Sequence, residues 1–239
     1  MSIDPATLLN EPEIVEAIEK ASTRMVCQAL WDFVSVAAET FHLAKDLAGT
    51  VGEDITRDAL ETMGVSRIPT ARLIGKMDYK RAAYYFHPQY AIRQALLVDS
   101  KAEKGDETSA TIQTSQTSMR IRMIRGDKQI DETGRLDQVL HVRGENYLTT
   151  TVFVKYSYDV LRSGDNQLVK IIIACLPNGM LQESYNPNVH DSIWRSGRDA
   201  PSRGEEFRVR IKFSALKAKM SWRVQTINVL PKPDFNWEE

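Results

Sequence analysis

The stretch Leu96-Leu97-Val98-Asp99-Ser100-Lys101 decides how this chain is read. It is an apolar run that ends in Asp-x-Lys, and a second carboxylate, Asp78, lies twenty-one residues upstream. If the run is a strand, period-two alternation puts Asp99 and Lys101 on one face and Ser100 on the other. Asp78, delivered by a neighbouring strand, would add a second acid. Two carboxylates can hold a hard divalent cation and a lysine can orient a water, which is the equipment for metal-assisted phosphodiester hydrolysis. Asp-x-Lys is common by itself: Asp78-Tyr79-Lys80 is a second instance, and a solvated ion pair at a strand end is the plain alternative. The apolar approach from Ala95 to Val98 marks Asp99 as the motif acid, because a buried strand delivers charge at its C-terminal edge.

With 239 residues, 42% of them hydrophobic, the chain suits a single domain over 1–239 with a real core. A helical N-terminal region, 1–63, is expected to precede a mixed-sheet core, 64–239. No stretch approaches the roughly eighteen apolar residues of a membrane span, and Met1-Ser2-Ile3-Asp4-Pro5 has neither the basic start nor the apolar core of a signal peptide. A cytoplasmic protein with no membrane partner is expected. Cys27 and Cys175, far apart, fit buried reduced thiols and not a disulfide framework or zinc site. His42, His87, His141 and His190 show no ligand spacing, so any metal is held by oxygen.

The net charge of -1 hides an asymmetry. Residues 1–62 hold 4 basic and 12 acidic side chains, while 195–223 hold 9 basic and 3 acidic. A basic surface for a polyanion at one end and an acidic, solvated or partner-facing surface at the other follow from such a division. Two exposed segments that merely differ in sign would look the same.

From Pro12 to about Ala48, residues such as Ile14, Ile18, Met25, Leu30, Phe33 and Phe41 recur at helical spacing, as one long helix or two in sequence. Gly49 to Gly52 is expected to break the pattern, and Glu53 to Met63 reads as a shorter helix with acids in its first turn. Strands are predicted over Arg72 to Phe86 and Ala91 to Lys101, joined by a turn at His87-Pro88-Gln89-Tyr90. Residues 103–118 read as loop or short helix, and 126–146 as a Gly- and Asp-rich excursion with weak strand signals. Leu148 to Tyr158 and Leu168 to Leu176, rich in Val, Ile, Thr and Tyr, look like central strands. A long loop region over 177–204 should precede a strand at 206–213, a helix at 214–220 and a last strand at 222–230.

Glu206 to Phe213 alternates strictly, with Phe207, Val209, Ile211 and Phe213 on one face and Arg208, Arg210 and Lys212 on the other. A strand can enter the DNA major groove, and arginine's planar fork matches guanine O6 and N7 bidentately. An edge strand protected by cations is the competing reading. Met119-Arg120-Ile121-Arg122-Met123 repeats the alternation and could line the same groove or grip phosphates.

Taken with Glu53-Asp54-Ile55-Thr56, Ala59-Leu60-Glu61, Asp78-Tyr79-Lys80-Arg81, Tyr185-Asn186-Pro187, Arg203-Gly204-Glu205 and Trp222-Arg223, these blocks resemble the SfiI/BglI-like family of type II restriction endonucleases, in the family's order over most of 53–226. The resemblance implies an α/β (α+β) PD-(D/E)xK nuclease fold, a mixed central β-sheet flanked by helices, and Mg²⁺-dependent cleavage of double-stranded DNA without a nucleotide cofactor. Carried over, Asp78 and Asp99 become metal-binding carboxylates, the Ser100 carbonyl a further ligand, and Lys101 the lysine that positions the attacking water. Arg208 and Arg210 become readers of guanine, Lys104 a base or phosphate contact, and Glu53 either an aid to the metal site or the start of a helix. The chain differs from the family through 105–146. Such enzymes cut interrupted palindromes and leave 3′ overhangs, which implies a homodimer or homotetramer here. The rival readings are a repair or recombination nuclease of the same fold, a non-catalytic DNA-binding protein, and an assembly protein whose charge asymmetry serves docking.

Overall fold

The computed structural model describes residues 3–44, 48–62, 82–87, 89–104, 108–197 and 209–239. The N-terminal pattern resolves into two helices in sequence, α1 (Pro12–Asp32) and α2 (Val34–Leu43), followed by α3 (Ala48–Thr62). Gly49 to Gly52 therefore does not break a helix; it lies inside α3. The reason is at Gly52, where an added Cβ would stand 2.9 Å from Cδ2 of Tyr156, so the missing side chain lets helix and sheet approach closely.

The strands are β1 (Ala82–His87), β2 (Ile92–Glu103), β3 (Ser109–Ile112), β4 (Ile121–Arg125), β5 (Lys128–Glu132), β6 (Val139–Val142), β7 (Glu145–Val160), β8 (Asn166–Leu176), β9 (Trp194–Ser196), β10 (Val209–Lys212) and β11 (Val224–Asn228), with short helices α4 (Gln182–Tyr185) and α5 (Phe213–Lys219) between the later ones. The central sheet runs β1-β2-β7-β8-β11, with β6 paired to β7. It is mixed: β2 and β7 are parallel, and β1-β2, β7-β8 and β8-β11 are antiparallel. The mixed central sheet with helices that the sequence predicts is thus present. The apolar run of β7 reads as continuous because the strand is buried on both faces.

One face of the sheet carries Leu96, Val152, Val154, Tyr156, Ile171, Ile173 and Cys175, packed against Val26, Leu30, Phe41 and Ile55 of the N-terminal helices. The other presents Phe153, Ile172, Ala174 and Leu176 to Ile112, Trp194, Val209, Ile211 and Leu216. That second layer is built from a three-stranded sheet, β3-β10-β9, and the β4-β5 hairpin. Residues 103–118, expected as loop or short helix, therefore supply a strand, β3, and a short 3₁₀ turn at Thr114–Gln116. Its signal was weak because a four-residue strand of small and hydroxylic residues carries little period-two contrast.

A buried ionic network ties the layers together. Arg223 and Glu19 are both fully buried; NH2 of Arg223 donates to Oε2 of Glu19 at 2.8 Å, and Oε1 accepts from the Asn178 amide at 2.8 Å. The guanidinium lies 4.3 Å from the Tyr185 ring and 4.4 Å from the Trp222 ring. Asn186, also fully buried, accepts from the Arg122 amide and the Trp194 indole, and donates to the carbonyls of Arg122, Asn188 and Asp191. Two blocks of the family resemblance, Tyr185-Asn186-Pro187 and Trp222-Arg223, thus belong to the frame. Breaking such a pair strands a buried charge and costs about 3–5 kcal/mol.

Candidate active site and DNA interface

Asp99 and Lys101 share the face of β2 that looks away from the N-terminal helices. Their Cα partners on β7 are Phe153 and Lys155. Lys101 Nζ lies 3.1 Å from Oδ2 of Asp99 and 5.2 Å from the Phe153 ring, and it donates to the carbonyl of Thr111 on β3. The ammonium is therefore aimed by three neighbours, and both side chains stay about one-third exposed (31% and 27%).

Ser100 points the other way, as the alternation requires. Its hydroxyl donates to Oγ1 of Thr56 at 2.7 Å, and that oxygen is 2.7 Å from the Tyr156 hydroxyl. Only the Ser100 main chain is left for the face that carries Asp99 and Lys101. Glu53, in the second turn of α3, is exposed.

Oδ2 of Asp99 is buried yet makes no hydrogen bond of good geometry. Ion-paired with Lys101 but without a hydrogen bond of good geometry, that carboxylate oxygen is a ligand suited to a hard cation, so Asp99 fits the divalent metal that the family resemblance implies. Among the described residues no three His, Cys, Asp or Glu side chains gather as a metal cage. Asp78, the second predicted ligand, lies outside the described residues, as do Lys80, Arg81 and Arg208.

Arg210 is described, and its strand is not an edge. β10 lies between β3 and β9, which overturns the protected-edge reading. Val209 and Ile211 face the core, and Arg210 takes the other side. There Nε donates to Oγ of Ser109 at 2.8 Å, NH1 to Oγ1 of Thr111 at 3.2 Å and NH2 to the Ser109 carbonyl at 3.4 Å. The fork is thereby given a fixed direction. Its Cα partner on β9 is Arg195, which is exposed and whose side chain makes no ion pair or hydrogen bond among the described residues. Like charges directly opposite are destabilising unless an anion bridges them.

The other arginine repeat serves a different purpose. Arg120 donates to Asp131 at 2.8 Å and to Thr133 at 2.7 Å, while Arg122 donates to the Pro187 carbonyl and to Glu183. These cations fasten the β4-β5 hairpin to its surroundings. Lys104 extends over the ring of Tyr158 at 5.9 Å, and Tyr158 itself packs on Phe41 of α2. It is not among the partners of Asp99 and Lys101.

Three features escaped the sequence reading. Arg195 gave no signal, because its significance lies in pairing with Arg210 across two strands separated by a long connection. Ser109 and Thr111 sat in a segment read as loop or short helix. Lys155 did carry a signal: a lone cation inside Val152-Phe153-Val154-Lys155-Tyr156, an otherwise apolar strand, is unusual enough to ask for a reason.

Comparison with known proteins bears on the family and the fold. The type II restriction enzyme SfiI from Streptomyces fimbriatus is 31% identical over 228 residues, which cover 90% of this chain and 84% of that protein. The crystal structure of tetrameric restriction endonuclease SfiI bound to cognate DNA superposes with a TM-score of 0.86 at 28% identity, over 99% of this chain and 93% of that one. The structure of the restriction endonuclease BglI bound to its DNA recognition sequence matches in fold, with a TM-score of 0.74 at 17% identity over 94% of each chain. The family defined by the type II restriction enzyme SfiI matches residues 18–227, and this chain belongs to that family.

Proposed function

We propose that the protein makes Mg²⁺-dependent, sequence-specific double-strand cuts in DNA at an interrupted palindrome, leaving 3′ overhangs. One observation carries the reading: the Asp99–Lys101 pair faces the layer that holds Arg210, and Thr111 touches both, through its carbonyl to Lys101 and its hydroxyl to Arg210. The hydrolytic pair and the base-reading cation are thereby linked through one residue of β3.

Asp99, Asp78 and the Ser100 carbonyl would hold the cation, and all three donors are oxygen, as Mg²⁺ prefers. When bound, the cation supplies positive charge against the negative charge that develops on the phosphate. Lys101 Nζ, held between Asp99, Thr111 and the face of Phe153, donates to the attacking water and keeps its oxygen in line with the scissile bond. Water adds to phosphorus as the P–O3′ bond breaks, leaving a 5′-phosphate and a 3′-hydroxyl.

Arg210, with Arg208 two residues before it, would read guanines in the major groove, and Arg195 would contact the phosphate backbone beside it. Lys104 would contact DNA as well, after leaving its perch on Tyr158. Recognition of a palindrome calls for a two-fold assembly, so the protein acts as a homodimer or, like the tetrameric SfiI, a homotetramer.

The test is digestion of phage genomic DNA by the purified protein with Mg²⁺, followed by sequencing of the fragment ends. Discrete bands with a common terminal sequence and 3′ overhangs are expected. A smear would replace this reading with a non-specific nuclease, and intact DNA with a non-catalytic binder.

A further inference from the structure

Lys155 is the feature that the mechanism above leaves unused. It is 2% exposed, in the middle of β7, directly opposite Lys101 in the parallel ladder. Burying an ammonium group is costly, and a methionine of similar length would fill the space without that cost. Its partners define what the charge is for. Nζ donates to Oε2 of Glu103 at 2.7 Å and to the main-chain carbonyl of Ser109 at 2.9 Å.

Ser109 and Thr111 are two apart on β3, and each is held from both sides. Their carbonyls accept from lysines of the central sheet, Lys155 for Ser109 and Lys101 for Thr111. Their hydroxyls accept from one arginine of the recognition strand, Arg210. β3 is thus bonded along one side to the catalytic face and along the other to the base-reading face. Any shift of Arg210 against a base pair is passed to Ser109 and Thr111, and Thr111 holds the catalytic lysine.

We propose that Lys155 is a positioning residue that makes cleavage depend on correct recognition, by anchoring β3 to the catalytic sheet so that the setting of Arg210 reaches Lys101. With Lys155 in place, β3 pivots about a fixed point at Ser109, and a misdirected Arg210 pulls Thr111 and Lys101 out of line. Without it, β3 drifts, Lys101 is poorly set on every site, and cognate DNA loses its advantage. The proposal rests on the reading of the protein as a sequence-specific nuclease.

The experiment uses Lys155→Met and Ser109→Ala in the full chain, after the wild-type site has been mapped. Single-turnover cleavage in Mg²⁺ is measured on the cognate site and on sites with one changed base pair, and binding to both is measured in Ca²⁺. Each variant is expected to lower the cognate-to-altered cleavage ratio by about tenfold, and Lys155→Met to leave cognate binding in Ca²⁺ unchanged within about threefold. Equal losses of cleavage on cognate and altered sites would overturn the coupling role and leave Lys155 a structural support. Cleavage of both sites at wild-type rates in both variants would overturn it outright. If Lys155→Met fails to fold by thermal melting, Ser109→Ala, which keeps the lysine and its carbonyl acceptor, decides the matter alone. Absence of discrete cutting by the wild type would instead defeat the nuclease reading, so the two failures are distinguishable.

Discussion

The hydroxyl of Ser100 donates to Oγ1 of Thr56 at 2.7 Å, so the residue between Asp99 and Lys101 is locked to α3 on the opposite face of the sheet. Thr56 also bonds the Tyr156 hydroxyl at 2.7 Å and its own helix at the Gly52 carbonyl. Helix α3, β2 and β7 are joined at one buried point behind Asp99 and Lys101. Thr56→Val keeps the shape but leaves the hydroxyls of Ser100 and Tyr156 buried without this partner, which costs about 1–3 kcal/mol. Urea unfolding should show that loss, and a midpoint equal to wild type would show the interaction to be neutral.

Asp99→Ala should abolish cleavage, while specific DNA binding in Ca²⁺ stays measurable. Lys101→Met should act in the same direction, because in the proposed mechanism the lysine sets the water and is not a ligand. Raised Mg²⁺ should leave Lys101→Met inactive. Residual cutting by Asp99→Ala would remove that carboxylate from the mechanism.

The two arginines of the β9-β10 pair should separate by their salt dependence. Arg210→Ala should weaken cognate binding by about 1–3 kcal/mol for each bidentate guanine pairing it removes and spare non-specific DNA. Arg195→Ala should weaken both alike and lower the slope of log affinity against log salt by about 1 for each phosphate that Arg195 neutralises. Filter binding across a salt series on cognate and scrambled duplexes checks both. The opposite pattern would exchange their roles.

Alkaline pH should destabilise the protein. Burial pushes the Cys175 thiol up to about 12, and burial likewise raises Cys27, Tyr85 and Tyr156. In the unfolded chain thiols ionise near ~8.5 and phenols near ~10. The folded state therefore binds more protons above those values, and stability present in full below about pH 8 falls as the pH rises. Urea midpoints should be flat from about pH 7 to 8 and decline beyond about 9, less steeply in Cys175→Ala. A midpoint that held level to about pH 10.5 would contradict this account.

Much of β2 was legible in order along the chain. Ala95 to Val98 followed by Asp99 and Lys101 encodes a buried strand with a charged end, because alternation is a local property. The same holds for Val209, Arg210, Ile211 and Lys212, whose two faces follow from spacing alone, and for the long apolar runs of β7 and β8. The break between α2 and α3 was misplaced to Gly49–Gly52, since a glycine's effect depends on what approaches it, and here that is the Tyr156 ring.

The sequence by itself determined the helices of the acidic N-terminal region, the central strands, the Asp99–Lys101 face and the alternation of the arginine strand, all set by neighbours a few residues apart. Only the tertiary structure decided that β10 is central in its sheet, that Arg223 is a core cation paired with Glu19, and that Arg195 stands opposite Arg210. It alone brought Lys101 and Lys155 to carbonyls of one short strand. Each of these joins residues from about ten to some two hundred positions apart, and hydrogen bonds and ion pairs over such separations follow from how layers stack, which no local pattern in the chain records.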